Sequence, residues 1–193
     1  MVPVSDFLPA LRMMVDVPIP GVMERALLQA AIRFCRESQC LFYSRSFDEV
    51  YEHQQVSAIG EQLSDKGKAQ LKGAGVVFVL SQGVELAKGR AYEVKGLNDI
   101  IFKRDLIDVT IEAFAEPTLT ANQLPSMLYQ DYLNTLCAGA ASLLQMQPNQ
   151  SWTQPDLAQY NEHLFVTGYR EAFRQAIEQR EYRPRPVARR EFF

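Results

Sequence analysis

Apolar residues recur at spacings of three and four between residues 22 and 39. Met23, Ala26, Leu27, Ala30, Ala31, Phe34 and Cys35 fall on one face, with Glu24, Arg25, Gln29, Arg33, Arg36 and Glu37 opposite. That period predicts an amphipathic helix. Pro18, Pro20 and Gly21 separate it from a shorter helical stretch over 5–15, where Ser5 is placed to cap the free amides.

From residue 41 to 118 the helical period disappears, and glycines at 60, 67, 73, 75, 83, 89 and 96 punctuate short β-branched and aromatic runs. This stretch predicts strands at 76–81, 90–94, 99–103 and 106–114, with turns at Gln82-Gly83 and Gly96-Leu97-Asn98. In the last strand Ile107, Val109, Ile111 and Ala113 alternate with Asp108, Thr110 and Glu112. Such alternation places the apolar set on one face of an antiparallel sheet and the polar set in water. Residues 46–73 are polar and lack a clear period, so they read as a long loop with partial structure.

Helix returns at Leu124, opened by Pro125 in the first turn and carried by Tyr129, Tyr132, Leu133, Leu136, Cys137, Ala140, Ala141 and Leu144. The run Ala138-Gly139-Ala140-Ala141 makes it thin and predicts a close crossing with another helix, although Gly139 costs about 1 kcal/mol of helix propensity relative to alanine. Pro148 and Asn149 end it. Thr153, Pro155 and Asp156 then read as the start of a third helix, Thr and Asp satisfying its free amides. That helix runs to about residue 180 with the stripe Leu157, Tyr160, Leu164, Phe165, Gly168, Tyr169, Ala172, Phe173, Ala176 and Ile177. One helix cannot bury so much alone, so it is expected to pack on the other helices or on a neighbouring subunit.

Composition narrows the function without naming it. The 193 residues are 47% hydrophobic and 22% charged with a formal net charge of -3, ordinary for one globular domain. No run approaches the roughly 18 consecutive apolar residues of a membrane span, and MVPVSDFLPA has no basic region followed by an apolar run, so a cytoplasmic protein is expected. Cys35, Cys40 and Cys137 are odd in number and form no CxxC pair. Free thiols, two of them buried on helix stripes, are the better reading than a disulfide or metal site. With only His53 and His163 besides, no metal is expected.

Candidate chemistry is sparse. Glu93-Val94-Lys95 matches part of a metal-dependent nuclease pattern, in which a carboxylate binds Mg²⁺ and a lysine sits beside the attacked phosphate; Glu85 is the only nearby second carboxylate, and a solvated strand face is the competing reading. Asp105, Asp108 and Glu112 could act as ligands, yet their alternation is what any half-exposed strand shows. His163 lies on the polar face of the third helix with no nucleophile spaced to join it. KGKAQLKGAG matches neither a phosphate loop nor a dinucleotide turn and reads as a loop. Trp152 reads as an anchor for the start of the third helix rather than a ligand platform. No catalytic residue, cofactor site or enzymatic activity is expected.

Residues 181–193 read EYRPRPVARREFF. Prolines forbid helix there, and Arg183, Arg185, Arg189 and Arg190 concentrate positive charge beside Phe192 and Phe193. Charge combined with aromatic anchors suits an extended arm that docks on a partner, against a disordered end. Nucleic acid is a further target for the arginines, but the net negative charge is not that of a dedicated DNA binder.

Taken in order, these segments resemble a known family. FLPALRMMVDVPIPGVMERALLQAAIRFCRES is similar to the start of tailed-bacteriophage head-to-tail adaptor (connector) proteins, with Ala30, Ala31, Phe34 and Cys35 in the matching helix. VVFVLSQGVELAKGRAYEVKGLNDIIFK resembles the family's strands. IDVTIEAFAEPT, LPSMLYQDYLNTLCAGAASLL and SWTQPDLAQYNEHLFVTGYREA resemble its strand ending in Pro-Thr, its Leu-Pro helix carrying Gly-Ala and its Trp-x-x-Pro helix. The weak part is 46–73.

The resemblance implies an α+β fold: a helical bundle (1–40 and 124–181) with an inserted small antiparallel β-region (41–118) and an extended C-terminal arm (182–193), in a single domain. It also implies a structural virion protein, made in the host cytoplasm and placed at the head-tail junction. There it would form a homo-oligomeric ring, commonly twelvefold, under the portal protein and above a tail or nozzle protein. Arg183, Arg185, Arg189, Arg190, Phe192 and Phe193 would dock on the portal, and double-stranded DNA would pass through the lumen without sequence-specific binding or any contact with membrane. A mild negative charge suits such a channel. The alternatives are a tail-completion or tail-terminator protein, and a small Mg-dependent nuclease using Glu93 and Lys95.

Overall fold

The computed structural model describes residues 1–60, 62–63 and 69–179. The chain is mixed α+β with antiparallel sheets. In chain order it runs β1 (Val2–Pro3), a 3-10 turn (Val4–Phe7), α1 (Leu8–Arg12), α2 (Pro20–Ser38), β2 (Phe42–Val50), β3 (Gln55–Ser57), β4 (Gln62–Leu63), β5 (Ala69–Ser81), β6 (Val84–Glu85), β7 (Tyr92–Lys95), β8 (Asp99–Phe102), β9 (Leu106–Pro117), β10 (Gln123–Leu124), α3 (Ser126–Gln145) and α4 (Pro155–Gln179).

The start of the chain follows the expected order with different ends. Ser5 does not cap: its hydroxyl donates to Asp6 Oδ1 at 3.4 Å, and the turn holding it is set by burial of Val4 and Phe7. Pro20 is the first residue of α2 rather than a break before it, since a first-turn proline lacks an amide that would go unpaired there. All seven apolar stripe residues of α2 are buried. The helix stops where Gln39 turns left-handed, φ 51°, and donates its amide to the Cys35 carbonyl.

Two sheets fill the middle of the chain. The larger has the order β2-β9-β5-β4, with β6 folded back on β5; the smaller has the order β3-β8-β7. A third pairing, β1 with β10, ties the first residues to the entrance of α3. The loop expected over 46–73 is corrected by strand at 42–50, 55–57, 62–63 and from 69 onward. β2 escapes a period-2 reading because Arg45 occupies an inward position, its guanidinium 4.6 Å over the Phe47 ring and donating to the Ser57 carbonyl. β5 begins before 76 because Gly73 and Gly75 lie within it at register shifts and are not breakers. A Cβ on Gly73 would meet Asn98 Oδ1 at 2.4 Å, and one on Gly75 would meet the Phe114 ring at 2.5 Å.

The alternation in β9 holds for Val109, Ile111 and Ala113, all buried, but Ile107 is exposed. Asp108 turns left-handed, φ 48°, between Ile107 and Val109, so the two no longer share a face. The Gln82-Gly83 turn forms with φ 51° and 75°, the left-handed pair a two-residue hairpin needs.

α3 packs on α2 and α4, and α2 also lies against β9. Pro125 precedes α3 as its N-cap in extended conformation, outside the first turn. α3 kinks at Tyr132, φ -128°. The thin run produces the close crossing its small residues predict: a Cβ on Gly139 would stand 2.5 Å from the Phe165 ring. Thr153 does not serve the amides of α4. Its hydroxyl accepts from the Gln150 amide and donates to the Gln147 carbonyl, closing the α3–α4 turn instead. Trp152 is half-buried against the core and donates its indole N–H to Gln147 Oε1, as an anchor does.

Candidate functional site

The residues proposed for chemistry stay apart. Glu93 is exposed on β7 and already paired with Lys103 at 2.5 Å, while Lys95 is exposed two residues on. Glu85 belongs to the other sheet. Asp105 accepts the Glu52 amide at 2.7 Å, Asp108 shapes the backbone of β9, and Glu112 sits half-buried on that strand. His163 is exposed on α4. Among the described residues no three His, Cys, Asp or Glu side chains come together in a way that could hold a metal ion. No helix of the described residues is long and apolar enough to cross a membrane.

The three cysteines are free thiols, Cys35 and Cys137 buried and Cys40 partly so. Burial pushes the Cys137 thiol up to about 12. Burial likewise raises Cys35, and the hydrogen bond from Cys35 lowers Cys40.

One buried charge was not expected from the pattern. Glu116, near the end of β9, has no exposed surface, and Arg36 from α2 grips it with two hydrogen bonds of 2.8 Å while Lys72 from β5 approaches to 3.2 Å. The pairing raises the Arg36 guanidinium, chiefly through its hydrogen bond to Glu116. The carboxylate thus joins a helix and two strands. The only sequence signal was an acidic residue beside Ala115 and Pro117 in an apolar strand end, which a period-2 reading assigns to solvent.

Two surfaces of the described residues gather exposed apolar side chains. On α4 the row Leu157, Tyr160 and Leu164 is 47%, 60% and 40% exposed, so this part of the expected stripe is not covered by the other helices of the same chain. The buried line of the helix runs instead through Ala158, Asn161, Phe165 and Ala172. It is fixed by Gly139 and Gly168 on the contact side and by Arg33, which pairs with Glu162 at 2.6 Å and lies 5.2 Å over the Phe165 ring. That hydrogen bond raises the Arg33 guanidinium.

The second surface is a groove of about 630 Å³ at the end of the larger sheet, where the end of β2, the β5–β6 hairpin and the start of β9 converge. Val50, Leu86 and Leu106 contribute apolar surface, Tyr51, Val84 and Ile107 project into solvent, and Glu49, Arg104 and Asp105 supply charge. Its lining comes from three separated stretches, so no local motif marks it. The proposed docking residues Arg183, Arg185, Arg189, Arg190, Phe192 and Phe193 lie outside the described residues. No family model matches the sequence, and no curated protein matches it.

Proposed function

We propose that the chain is a ring-forming head-to-tail adaptor of a tailed bacteriophage, which docks on the portal and connects it to the tail while DNA passes through the lumen. In this reading α1 to α4 form the helical bundle, the strands between α2 and α3 form the inserted β-region, and residues 182–193 form the docking arm. The observation that carries it is the row Leu157, Tyr160 and Leu164. Apolar residues set at helical spacing on a 25-residue helix and left in solvent give a neighbouring subunit a surface to cover. Resemblance of the segments to adaptor proteins supplies the identity of the assembly. The open edge of β2, paired only with β9 among the described residues, adds a second place for lateral contact.

Mixing the purified protein with its cognate portal and imaging the product tests the reading. A ring seated under the portal is expected; intact, soluble partners that form neither ring nor complex would sink it. Deleting residues 183–193 should abolish attachment and leave the helical circular dichroism unchanged, whereas unaltered attachment removes the arm from the portal contact.

A further inference from the structure

We propose that Cys35 and Cys40 form a peroxide-sensitive dithiol, which a hydroperoxide converts into a disulfide closing the end of α2 onto the start of β2.

The way α2 ends sets the two side chains against each other. Gln39 turns left-handed, φ 51°, and its amide donates to the Cys35 carbonyl at 2.9 Å. A helix that stops in this way folds the next residue back over its last turn, against the side chain that opens that turn. Those two residues are Cys40 and Cys35, and the Cys35 thiol donates a hydrogen bond to the Cys40 sulfur. A buried cysteine on its own is a small apolar filler. Two sulfurs in contact become a redox pair when one of them meets solvent, and here Cys40 is half-buried while Cys35 is enclosed.

Their surroundings give the sulfurs different parts. The hydrogen bond from Cys35 lowers the Cys40 thiol against the effect of burial, and Ser38 adds to the lowering. Burial raises Cys35. The thiolate is the nucleophile, so Cys40 attacks and Cys35 resolves. The Cys40 thiolate takes one oxygen of the peroxide: an S–O bond forms, the O–O bond breaks, and the hydroxide that leaves takes up the proton Cys40 had released. Cys35 then attacks the sulfur of the Cys40 sulfenic acid. The S–S bond forms, the S–O bond breaks, and the departing hydroxide carries off the Cys35 proton as water. Together the sulfurs lose two electrons, which reduce hydrogen peroxide to two waters.

The link would lock the turn between helix and sheet. Beside it the Leu41 carbonyl accepts the Ala115 amide at 2.8 Å, and Arg36 grips Glu116. Cys137, bonded instead to the Phe7 carbonyl, has no such partner among the described thiols and serves as an internal control. The inference does not rest on the adaptor reading, because no portal or ring enters its test.

The test treats the reduced full chain with hydrogen peroxide, blocks the remaining thiols with iodoacetamide in denaturant and maps tryptic peptides without reduction. Trypsin cuts after Arg33, Arg36 and Arg45, so the disulfide would join the peptide of Cys35 to the peptide of Cys40 in one species that reduction splits. That species is expected in a chain with the mass of one copy less two hydrogen atoms, with Cys137 alkylated. Cys35→Ala should leave Cys40 as a sulfenic acid that dimedone labels, and Cys40→Ser should slow the loss of the Cys35 thiol at least about tenfold. A disulfide that joins two copies or involves Cys137, or no disulfide at all, overturns the proposal. So does a Cys35 thiol lost at an unchanged rate in Cys40→Ser.

Discussion

At the α3–α4 crossing Gly139 lets the Phe165 ring lie 2.5 Å from where a Cβ would stand, and at the junction of the two sheets Gly73 does the same for the Asn98 amide at 2.4 Å. The same backbone device serves opposite chemistries. At Gly139 the crossing is ring packing, with Phe34 and Tyr169 around the Phe165 ring, and its polar links lie beside the ring, where Asn161 donates to Gln145 Oε1 and Ser142 to Glu162; most of its stability comes from buried area and close packing. The sheet junction is polar. Asn98 accepts the Gly73 amide at 3.1 Å, donates to Ser57 Oγ at 3.0 Å and gives its carbonyl to the Ala58 amide. Its value is orientation, since each such bond is worth only about 1 kcal/mol net. The helical side should therefore carry the larger share of stability, and the sheet side should set how the small sheet sits on the large one.

Removing the ring strikes the helical side hardest. Phe165→Ala should cost about 3–5 kcal/mol, read as a lower denaturant midpoint; a loss under about 1 kcal/mol would make the crossing incidental. Between the two regions stands Glu116. Arg36→Ala should cost about 2–3 kcal/mol, less than the ~3–5 kcal/mol of a fully buried broken pair because Arg36 is half-exposed and Lys72 remains. Glu116→Leu should cost less, since both cations can then turn to water. The reverse order would show that the carboxylate matters for more than its partners.

On the sheet side, Asn98→Ala should cost about 1–2 kcal/mol and raise amide exchange at Gly73, whose amide loses its acceptor, more than at Gly139. Alkali separates the regions without mutation. The Cys137 thiol is raised from 9.0 to about 12 in the fold, so its contribution is complete below pH 9 and is lost as pH climbs through that interval. The slope from this group alone approaches about 1.4 kcal/mol per pH unit. Cys137→Ala should flatten it, and an unchanged slope would assign alkaline loss to other groups.

These two regions also differed in how far the sequence revealed them. The run 138–141 announced a close crossing because small residues in a helix have few other uses, and the stripe of α2 appeared in full. The sheet junction was hidden because Asn98 reads as a turn residue and Gly73 as a breaker, while their meeting depends on which strands pair. β2 was hidden by Arg45, which keeps an inward position through its stem and a ring contact rather than through apolar character. Glu116 was hidden since alternation carries no information about a cation arriving from α2. The groove likewise exists only once β2, β6 and β9 are brought together, and the exposed row on α4 emerged only when Phe165, not Leu164, proved to face α3.

That row bears the central claim. Leu164→Lys should leave monomer stability within about 0.5 kcal/mol, as exposed substitutions do, so a failure to assemble could not be blamed on folding. The decisive measurement is electron microscopy of the wild-type and Leu164→Lys proteins mixed with the cognate portal. Rings beneath the portal for the wild type, lost in the variant, are the predicted result; a wild-type protein that forms no ring, or a variant that assembles equally well, would contradict the account.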